Sequence, residues 1–189
     1  MDKASLRIVY KEKRRMLTDD EVGLLDESLL NQLKELDWSR FKYLHCYLAI
    51  EKFKEINTIQ FIHWIWGNHP QVQIVISKSN FGTQEMEHFI FNENTHLEEN
   101  SWGIPEPVNA LEIPVDRIDA VICPLLVADH KGNRVGYGKG FYDRFLKSCR
   151  SDVVKIGLSY FEPIEQIDDV SEWDMAMNLL VTPKQTYLI

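Results

Sequence analysis

The sequence predicts a three-layer α/β protein, with a mainly parallel sheet and helices on both of its faces. Strand-like apolar runs alternate with amphipathic helical segments through most of the 189 residues. One such run, residues 121–127, leads through a loop holding four of the nine glycines into the amphipathic segment 141–149. The composition, 44% hydrophobic and 26% charged, is that of an ordinary globular protein. We therefore expect a single domain over residues 1–189.

The helices follow from periodicity and capping signals. Residues 2–16 carry apolar side chains at helical spacing, so we predict a first helix there. Thr18 and Glu21 have capping-box spacing and begin a second helix that runs to residue 36. Two further helices are predicted over residues 59–66, behind an Asn57 or Thr58 cap, and over residues 141–149.

Strands are predicted where apolar or alternating residues form short runs. We assign them to residues 42–50, 71–77, 86–91, 121–127, 153–160 and 178–182. Segment 93–100 is polar and receives no strand, and the proline-containing segment 101–107 is expected to be stiff and non-regular. The acidic segment 162–174 is expected to be a loop.

Charge and cysteine content exclude several classes. The net charge of -8 argues against nucleic acid as a partner, although six basic and two acidic residues give the first 15 residues a charge of +4. Cys46, Cys123 and Cys149 are an odd number without a CxxC pair, which favours reduced core thiols. Because no apolar run approaches ~18 residues, we expect a cytoplasmic protein without a membrane partner.

The glycine loop has the properties of an anion site. Gly132, Gly136, Gly138 and Gly140 precede a helix whose first N–H groups lack partners, and this arrangement commonly holds phosphate. The loop also contains Arg134 and Lys139, and Asp143 falls in the first helical turn, where it could hold Mg²⁺. The spacing fits neither GxxxxGK[ST] nor GxGxxG, so phosphate binding and a tight structural turn both stay open.

Other candidates are individually ambiguous. Lys3, Arg7 and Arg14 project from one narrow face of the first helix, which is either solvated or grips phosphate. Whether Arg14 or its neighbour Arg15 faces the site is open. Glu55 follows a strand, where open α/β sheets place a ligand crevice, but it is equally a solvated charge. Trp102 is either a flat wall for an aromatic ligand or a pin that fixes its loop to the core.

Together these pieces resemble the 5-formyltetrahydrofolate cyclo-ligase family over residues 3–182. The most specific match is RVGYGKGFYDRFL at residues 134–146, together with the AD-x-x-G before it. Further matches are KASLR with Lys3 and Arg7, EINT with Glu55, WGIPEP with Trp102, and EWD with Asp174, followed by VT.

The resemblance implies cyclisation of 5-formyltetrahydrofolate to 5,10-methenyltetrahydrofolate, with ATP and Mg²⁺ required and ADP and phosphate released. The formyl oxygen is a poor leaving group, so it is first phosphorylated; N10 then attacks the carbon and phosphate departs. Such chemistry needs positioning and charge neutralisation rather than a protein nucleophile.

Residue roles are likewise implied by position in the family motifs. Lys139 and Arg134 would be catalytic, Asp143 and Asp174 would hold Mg²⁺, and Glu55, Trp102 and Tyr142 would contact folate. ATP would be held by Lys3, Arg7, Arg134, Gly136, Tyr137, Gly138, Lys139, Gly140, Phe141 and Tyr142.

Two other classes stay open at this point. One is a folate- or nucleotide-binding protein without turnover, although a metal carboxylate beside the glycine loop speaks against it. The other is a sugar-phosphate isomerase or CoA-transferase-like protein, since the family's architecture is similar to those; the basic first helix favours ATP instead. We expect a monomer, while polyglutamate preference and physiological role do not follow from the sequence.

Overall fold

The computed structural model describes residues 1–100 and 103–189. Its α-helices are α1 (Lys3–Met16), α2 (Asp19–Lys34), α3 (Ile59–Asn68) and α4 (Phe141–Ser148). Its strands are β1 (Tyr43–His45), β2 (Gln73–Asn80), β3 (Glu85–Phe91), β4 (His96–Glu99), β5 (Pro105–Val108), β6 (Ala120–Pro124), β7 (Val127–Ala128), β8 (Arg134–Val135), β9 (Val154–Leu158), β10 (Leu179–Val181) and β11 (Thr186–Leu188).

Within the described residues, a central sheet of seven strands has the order β11-β10-β9-β6-β1-β2-β3. The inner strands β10, β9, β6, β1 and β2 run parallel, whereas β3 and β11 pair antiparallel at the two edges. Strands β6 and β10 are almost entirely apolar because both faces of a parallel sheet are covered. The predicted mainly parallel α/β sheet is confirmed.

Helices cover both faces of this sheet, as predicted. Leu29 of α2 and Phe61 of α3 pack on one face, together with residues such as Leu44 and Ile122. On the other face, Phe145 of α4 belongs to a separate apolar cluster. Helix α1 packs instead on the small β7–β8 hairpin. Its placement brings a basic helix beside the glycine loop that follows β8.

Local capping fixes where the helices begin. Asp2 accepts a hydrogen bond from the Ser5 amide at the start of α1, and the predicted Thr18–Glu21 capping box is formed at the start of α2. At the start of α3, the two predicted cap residues have different roles. The Thr58 hydroxyl donates to the Tyr47 carbonyl, whereas Asn57 Oδ1 accepts from the Ile59 amide at 3.0 Å. The side chain of Asn57 therefore caps α3.

Two predicted strands were wrong in extent. The strand expected over residues 42–50 ends at His45, after one further pairing of the Cys46 amide with the Val75 carbonyl. The run 121–127 is divided, because β6 ends at Pro124 and β7 pairs with β8 in a separate hairpin. In both places the apolar run extends beyond the last residue of the strand, because the residues that follow are buried by other parts of the protein.

Two further strand pairings, besides that of β7 with β8, were missed. Segment 93–107, in which no strand was predicted, contributes β4 and most of β5, which pair antiparallel with Pro105 opposite Glu99 and Pro107 opposite Leu97. Proline normally argues against a strand, and it is accepted here because the ribbon has only two strands. The terminal strand β11, at the edge of the main sheet, was also missed.

The cysteines lie in or near the core as free thiols, with Cys46 and Cys123 buried and Cys149 half-buried. Burial raises the pKa of the Cys123 thiol to about 12 and that of Cys149 to about 11, so both stay protonated at neutral pH. These protonated thiols agree with the prediction that the cysteines are reduced residues of the core. Among the described residues, the helices are all too short or too polar to span a bilayer.

Candidate functional site

A cavity of about 560 Å³ lies at the carboxyl ends of β1, β2 and β6. His45 of β1, Ser77 of β2 and Pro124 of β6 contribute to its wall. From β1 the chain first adds β2 on one side and later β6 on the other, so the cavity lies where the strand order reverses. Open α/β sheets bind ligands at such a point.

The cavity brings together most of the predicted site residues. Those lining it are Lys3, Arg7, Glu55, Arg134, Gly136, Tyr137, Gly138, Lys139, Gly140, Phe141, Tyr142, Asp143 and Asp174. Trp102 lies outside the described residues. Lys11, which sequence reasoning passed over, also lines the cavity, with its Nζ 5.5 Å from the centre of the Tyr137 ring.

One end of the cavity, the basic end, is formed by Lys3, Arg7, Lys11 and Lys139. Lys11 and Lys139 are exposed there. Arg7 donates from Nε to the Gly136 carbonyl at 2.9 Å, which fixes α1 against the glycine loop. Several cations around one opening favour a polyanionic ligand.

The glycine loop at the basic end requires glycine for steric reasons. Gly138 and Gly140 have φ of +90° and +69°. A Cβ at Gly138 would lie 3.1 Å from Cζ of Arg7, so a larger residue would push this guanidinium away. Gly140 is also the N-cap of α4 and offers no side chain, so the first-turn N–H groups of α4 are uncapped by side chains within the described part of the chain. Such N–H groups bind anions.

Two carboxylates stand beside the loop. Asp143 Oδ1 accepts from Arg134 Nη2 at 2.7 Å and from the Met175 amide at 3.3 Å. The neighbouring Asp174 accepts from Lys3 Nζ and, at 2.6 Å, from the Ser171 amide, in both cases through Oδ2. Burial is the largest single influence on Asp174 and opposes its charge, but the hydrogen bond and charge of Lys3 and the hydrogen bonds from Ser171 together outweigh burial and lower the pKa of this carboxyl. Asp174 is therefore set up as a carboxylate.

The arrangement is compatible with a magnesium ion. Oδ2 of Asp143 and Oδ1 of Asp174 accept no hydrogen bond within residues 1–100 and 103–189, so each carboxylate keeps one oxygen available. The same ranges contain no cluster of three or more His, Cys, Asp or Glu side chains suited to a metal. Mg²⁺ commonly takes only one or two protein carboxylates and completes its shell with phosphate and water.

A second group of residues, the Glu55 end, consists of Glu55 and Tyr137 in the cavity wall and Arg14, which is bonded to Tyr137. Glu55 is only 8% exposed, and its Oε2 accepts from the Ile50 amide at 2.8 Å. Burial raises the pKa of Glu55, while the Ile50 amide, the Tyr137 hydroxyl and the charge of Arg14 act in the opposite direction. Arg14 in turn donates from Nη1 to the Tyr137 hydroxyl at 2.9 Å. These three groups thus form one connected network.

The open question between Arg14 and Arg15 is resolved in favour of Arg14. Arg14 is 3% exposed, whereas Arg15 points outward and pairs with Glu12 at 2.7 Å. Sequence reasoning had a usable signal, because Arg14 is four residues after Tyr10 and so continues the apolar face of the helix. A run of three basic residues hid that signal.

Comparison with known proteins identifies the family. The model of the 5-formyltetrahydrofolate cyclo-ligase family matches residues 1–183. A probable 5-formyltetrahydrofolate cyclo-ligase of Schizosaccharomyces pombe is 28% identical over 201 residues, covering 98% of this chain and 97% of the relative. The 5-formyltetrahydrofolate cyclo-ligase of Escherichia coli is 23% identical, covering 95% of this chain and 99% of its own.

Solved structures agree with these matches. A 5,10-methenyltetrahydrofolate synthetase of Aquifex aeolicus superposes with a TM-score of 0.80 and 26% identity, covering 100% of this chain and 93% of the other. Fold, cavity position and the family model over residues 1–183 all point the same way. The chain belongs to the 5-formyltetrahydrofolate cyclo-ligase family.

Proposed function

We propose that this protein converts 5-formyltetrahydrofolate to 5,10-methenyltetrahydrofolate in a reaction that requires ATP and Mg²⁺ and releases ADP and phosphate. The observation that carries the proposal is that a single cavity joins the basic end, with its glycine loop, to the Glu55 end. A phosphate donor and a folate bound at the two ends would meet inside this cavity.

The basic end suits the phosphates of ATP. Lys3, Arg7, Lys11 and Lys139 supply positive charge, and the uncapped N–H groups at the start of α4 supply directed donors. Arg134 is 8% exposed and is locked between Asp143 and the Met175 carbonyl, to which it donates at 2.6 Å. We assign it to holding Asp143 in place beside the phosphates.

Asp143 and Asp174 are the residues that would hold Mg²⁺, through the oxygens that their own ion pairs leave available. When bound, the metal supplies charge neutralisation on the phosphate oxygens. The remaining pairing with Lys3 and Arg134 keeps both side chains oriented, because each carboxylate is fixed through its other oxygen.

The Glu55 end suits the pterin ring of the folate. A buried carboxylate accepts hydrogen bonds strongly, and the pterin carries N–H donors. Arg14 and the Tyr137 hydroxyl favour the charged form of Glu55 against the cost of its burial. Tyr142, which also lines the cavity, provides an aromatic wall.

The chemical steps follow from these positions. The formyl oxygen attacks the terminal phosphorus of ATP, so that ADP leaves and the oxygen becomes part of a phosphate ester. N10 then attacks the formyl carbon and loses its proton, and the C–O bond breaks to release phosphate. Lys139 is exposed at the loop, where its ammonium can stabilise the charge that grows on the transferring group. No protein nucleophile is needed.

An absorbance assay tests the proposal. Purified protein is mixed with 5-formyltetrahydrofolate, ATP and MgCl₂, and growth of the methenylfolate band is followed while each component is omitted in turn. We expect growth only when all three are present. Absence of growth, with folate and ATP still bound, would establish the binding protein without turnover instead. Monomeric state and cytoplasmic location stay predictions from the sequence.

A further inference from the structure

A serine held between two histidines lies in the wall of the cavity. Ser77 Oγ is 2.7 Å from His45 Nε2 and 3.0 Å from His88 Nδ1. Ser77 and His88 are direct partners in the pairing of β2 with β3, and His45 is the last residue of β1. The Phe145 ring of α4 covers both imidazoles, at centroid distances of 4.9 and 4.2 Å. No step of the proposed reaction uses this group.

Both histidines are neutral near pH 7. His45 is 0% exposed and His88 is 5% exposed. Burial lowers the pKa of His45 well below its usual range, with the nearby His88 contributing, and burial lowers the pKa of His88 to about 4. Each neutral ring therefore has one nitrogen that donates and one that accepts.

Counting protons fixes what Ser77 can offer. A hydroxyl has one proton and two lone pairs, so it can donate to only one of the two ring nitrogens, and the other nitrogen must donate to it. Ser77 thus uses its proton and one lone pair on the histidines. What remains is a single lone pair, which makes Ser77 a pure acceptor toward the cavity that it lines.

The count for Ser77 is the same for either direction of these two hydrogen bonds. If His45 donates to Ser77, then Ser77 donates to His88; if His45 accepts from Ser77, then His88 donates to it. In both cases Ser77 uses its proton and one lone pair on the two rings.

We propose that Ser77 is a specificity-determining residue whose remaining lone pair accepts a hydrogen bond from an amino group on the planar ring of a bound ligand. Met86, Phe141 and Tyr142 line the same cavity and provide apolar surface for such a ring. A carbonyl in place of the amino group would face this lone pair and be disfavoured. The inference rests on the proposed function. Two ligands of that function carry an amino group on a planar ring, ATP on its adenine and the folate on its pterin.

Two ligand pairs distinguish these sources. Dissociation constants are measured for ATP against inosine triphosphate, whose ring has a carbonyl in that position, and for 5-formyltetrahydrofolate against its 2-desamino analogue. We expect the unaltered protein to favour the amino-bearing member of one pair by about tenfold, the value of one good hydrogen bond. Ser77→Ala should reduce that preference to about twofold or less in the same pair, which identifies the ring.

Controls separate this role from folding. Ser148→Ala deletes an exposed hydroxyl that donates to the Arg144 carbonyl, and it should leave both preferences unchanged. Ser77→Thr retains a hydroxyl and should retain the preference. A ratio of affinities is independent of the folded fraction, so a less stable Ser77→Ala still gives a clear result. Equal preferences in Ser77→Ala and the unaltered protein, or no preference in either pair, would overturn the inference. Failure of the unaltered protein to bind ATP and folate would instead overturn the proposed function and, with it, the inference.

Discussion

The two ends of the cavity are built in different ways. At the basic end, Lys11 and Lys139 are exposed, and the glycine loop is shaped by its own backbone, with positive φ at Gly138 and Gly140. At the Glu55 end, the carboxylate and Arg14 are both nearly enclosed, and they are connected through Tyr137. The glycine loop of the first end is formed by residues close together in the sequence, whereas the second end depends on side chains far apart in the chain.

This difference predicts different consequences for a ligand. Exposed cations at the basic end are partly screened by solvent, so they contribute little to binding in the ground state. Their main contribution is to stabilise the negative charge that develops in the transition state. The charges at the Glu55 end are desolvated, and removing one of them leaves its partner buried without compensation. We therefore expect changes at the basic end to affect mainly turnover and changes at the Glu55 end to affect mainly folate binding.

The largest expected effect is that of Lys139→Ala. Loss of this ammonium should lower kcat by about a hundredfold or more, the cost of removing a group that stabilises transition-state charge. The dissociation constant for folate should change by less than about threefold, because we propose that folate binds at the Glu55 end. Steady-state kinetics and equilibrium binding together check this split.

Lys131→Ala is the matched control for Lys139→Ala. Lys131 is an exposed lysine in the turn between β7 and β8, and it is not part of the cavity wall. Its removal should leave kcat within about twofold, as surface substitutions usually do. Equal losses of kcat and folate affinity in Lys139→Ala would contradict the separation of the two ends.

A change at the Glu55 end should reverse this pattern. Arg14→Met removes the buried guanidinium while keeping much of its bulk, and we expect folate affinity to fall by about tenfold or more. Arg14 lowers the pKa of Glu55, so its loss should raise that pKa further. Since the carboxylate is the form that accepts hydrogen bonds, folate affinity falls as pH drops through the pKa of Glu55. In Arg14→Met this fall should begin at higher pH, which titrations at several pH values would detect.

The neighbouring residue provides the control for Arg14. Arg15→Met removes the same charge from an exposed position, where Arg15 forms its ion pair with Glu12. Its folate affinity and pH dependence should match those of the unaltered protein. A pH dependence shifted equally in both variants would show that overall charge, and not the buried network, controls Glu55.

The smallest effects concern the glycine loop. Gly138→Ala places a Cβ at a φ of +90° and close to Arg7, so it should lower the free energy of unfolding by about 1–2 kcal/mol and weaken ATP binding. Gly23→Ala, in the middle of α2 with open space around the new Cβ, should instead raise the free energy of unfolding by up to about 1 kcal/mol. Denaturant melts measure both. A stabilising Gly138→Ala would contradict the steric explanation of the loop.

The contrast between the ends also explains what the sequence could predict. The strand, loop and helix around Gly136, Gly138 and Gly140 are local features, so their order could be predicted from spacing. The boundary inside residues 121–127 could not, because both parts are apolar and only pairing partners separate β6 from β7. The inward orientation of Arg14 and the setting of Ser77 depend on contacts more than 10 residues away, which no local pattern records.

The two ends are joined in this account by one event, transfer of a phosphoryl group onto the formyl oxygen. The most direct test uses 5-formyltetrahydrofolate labelled with oxygen-18 in the formyl group, with mass spectrometry of the phosphate released in one turnover. We predict that the label appears in inorganic phosphate at one atom for each methenylfolate formed. Methenylfolate formed with unlabelled phosphate would contradict the account, because the formyl oxygen would then have left without being phosphorylated.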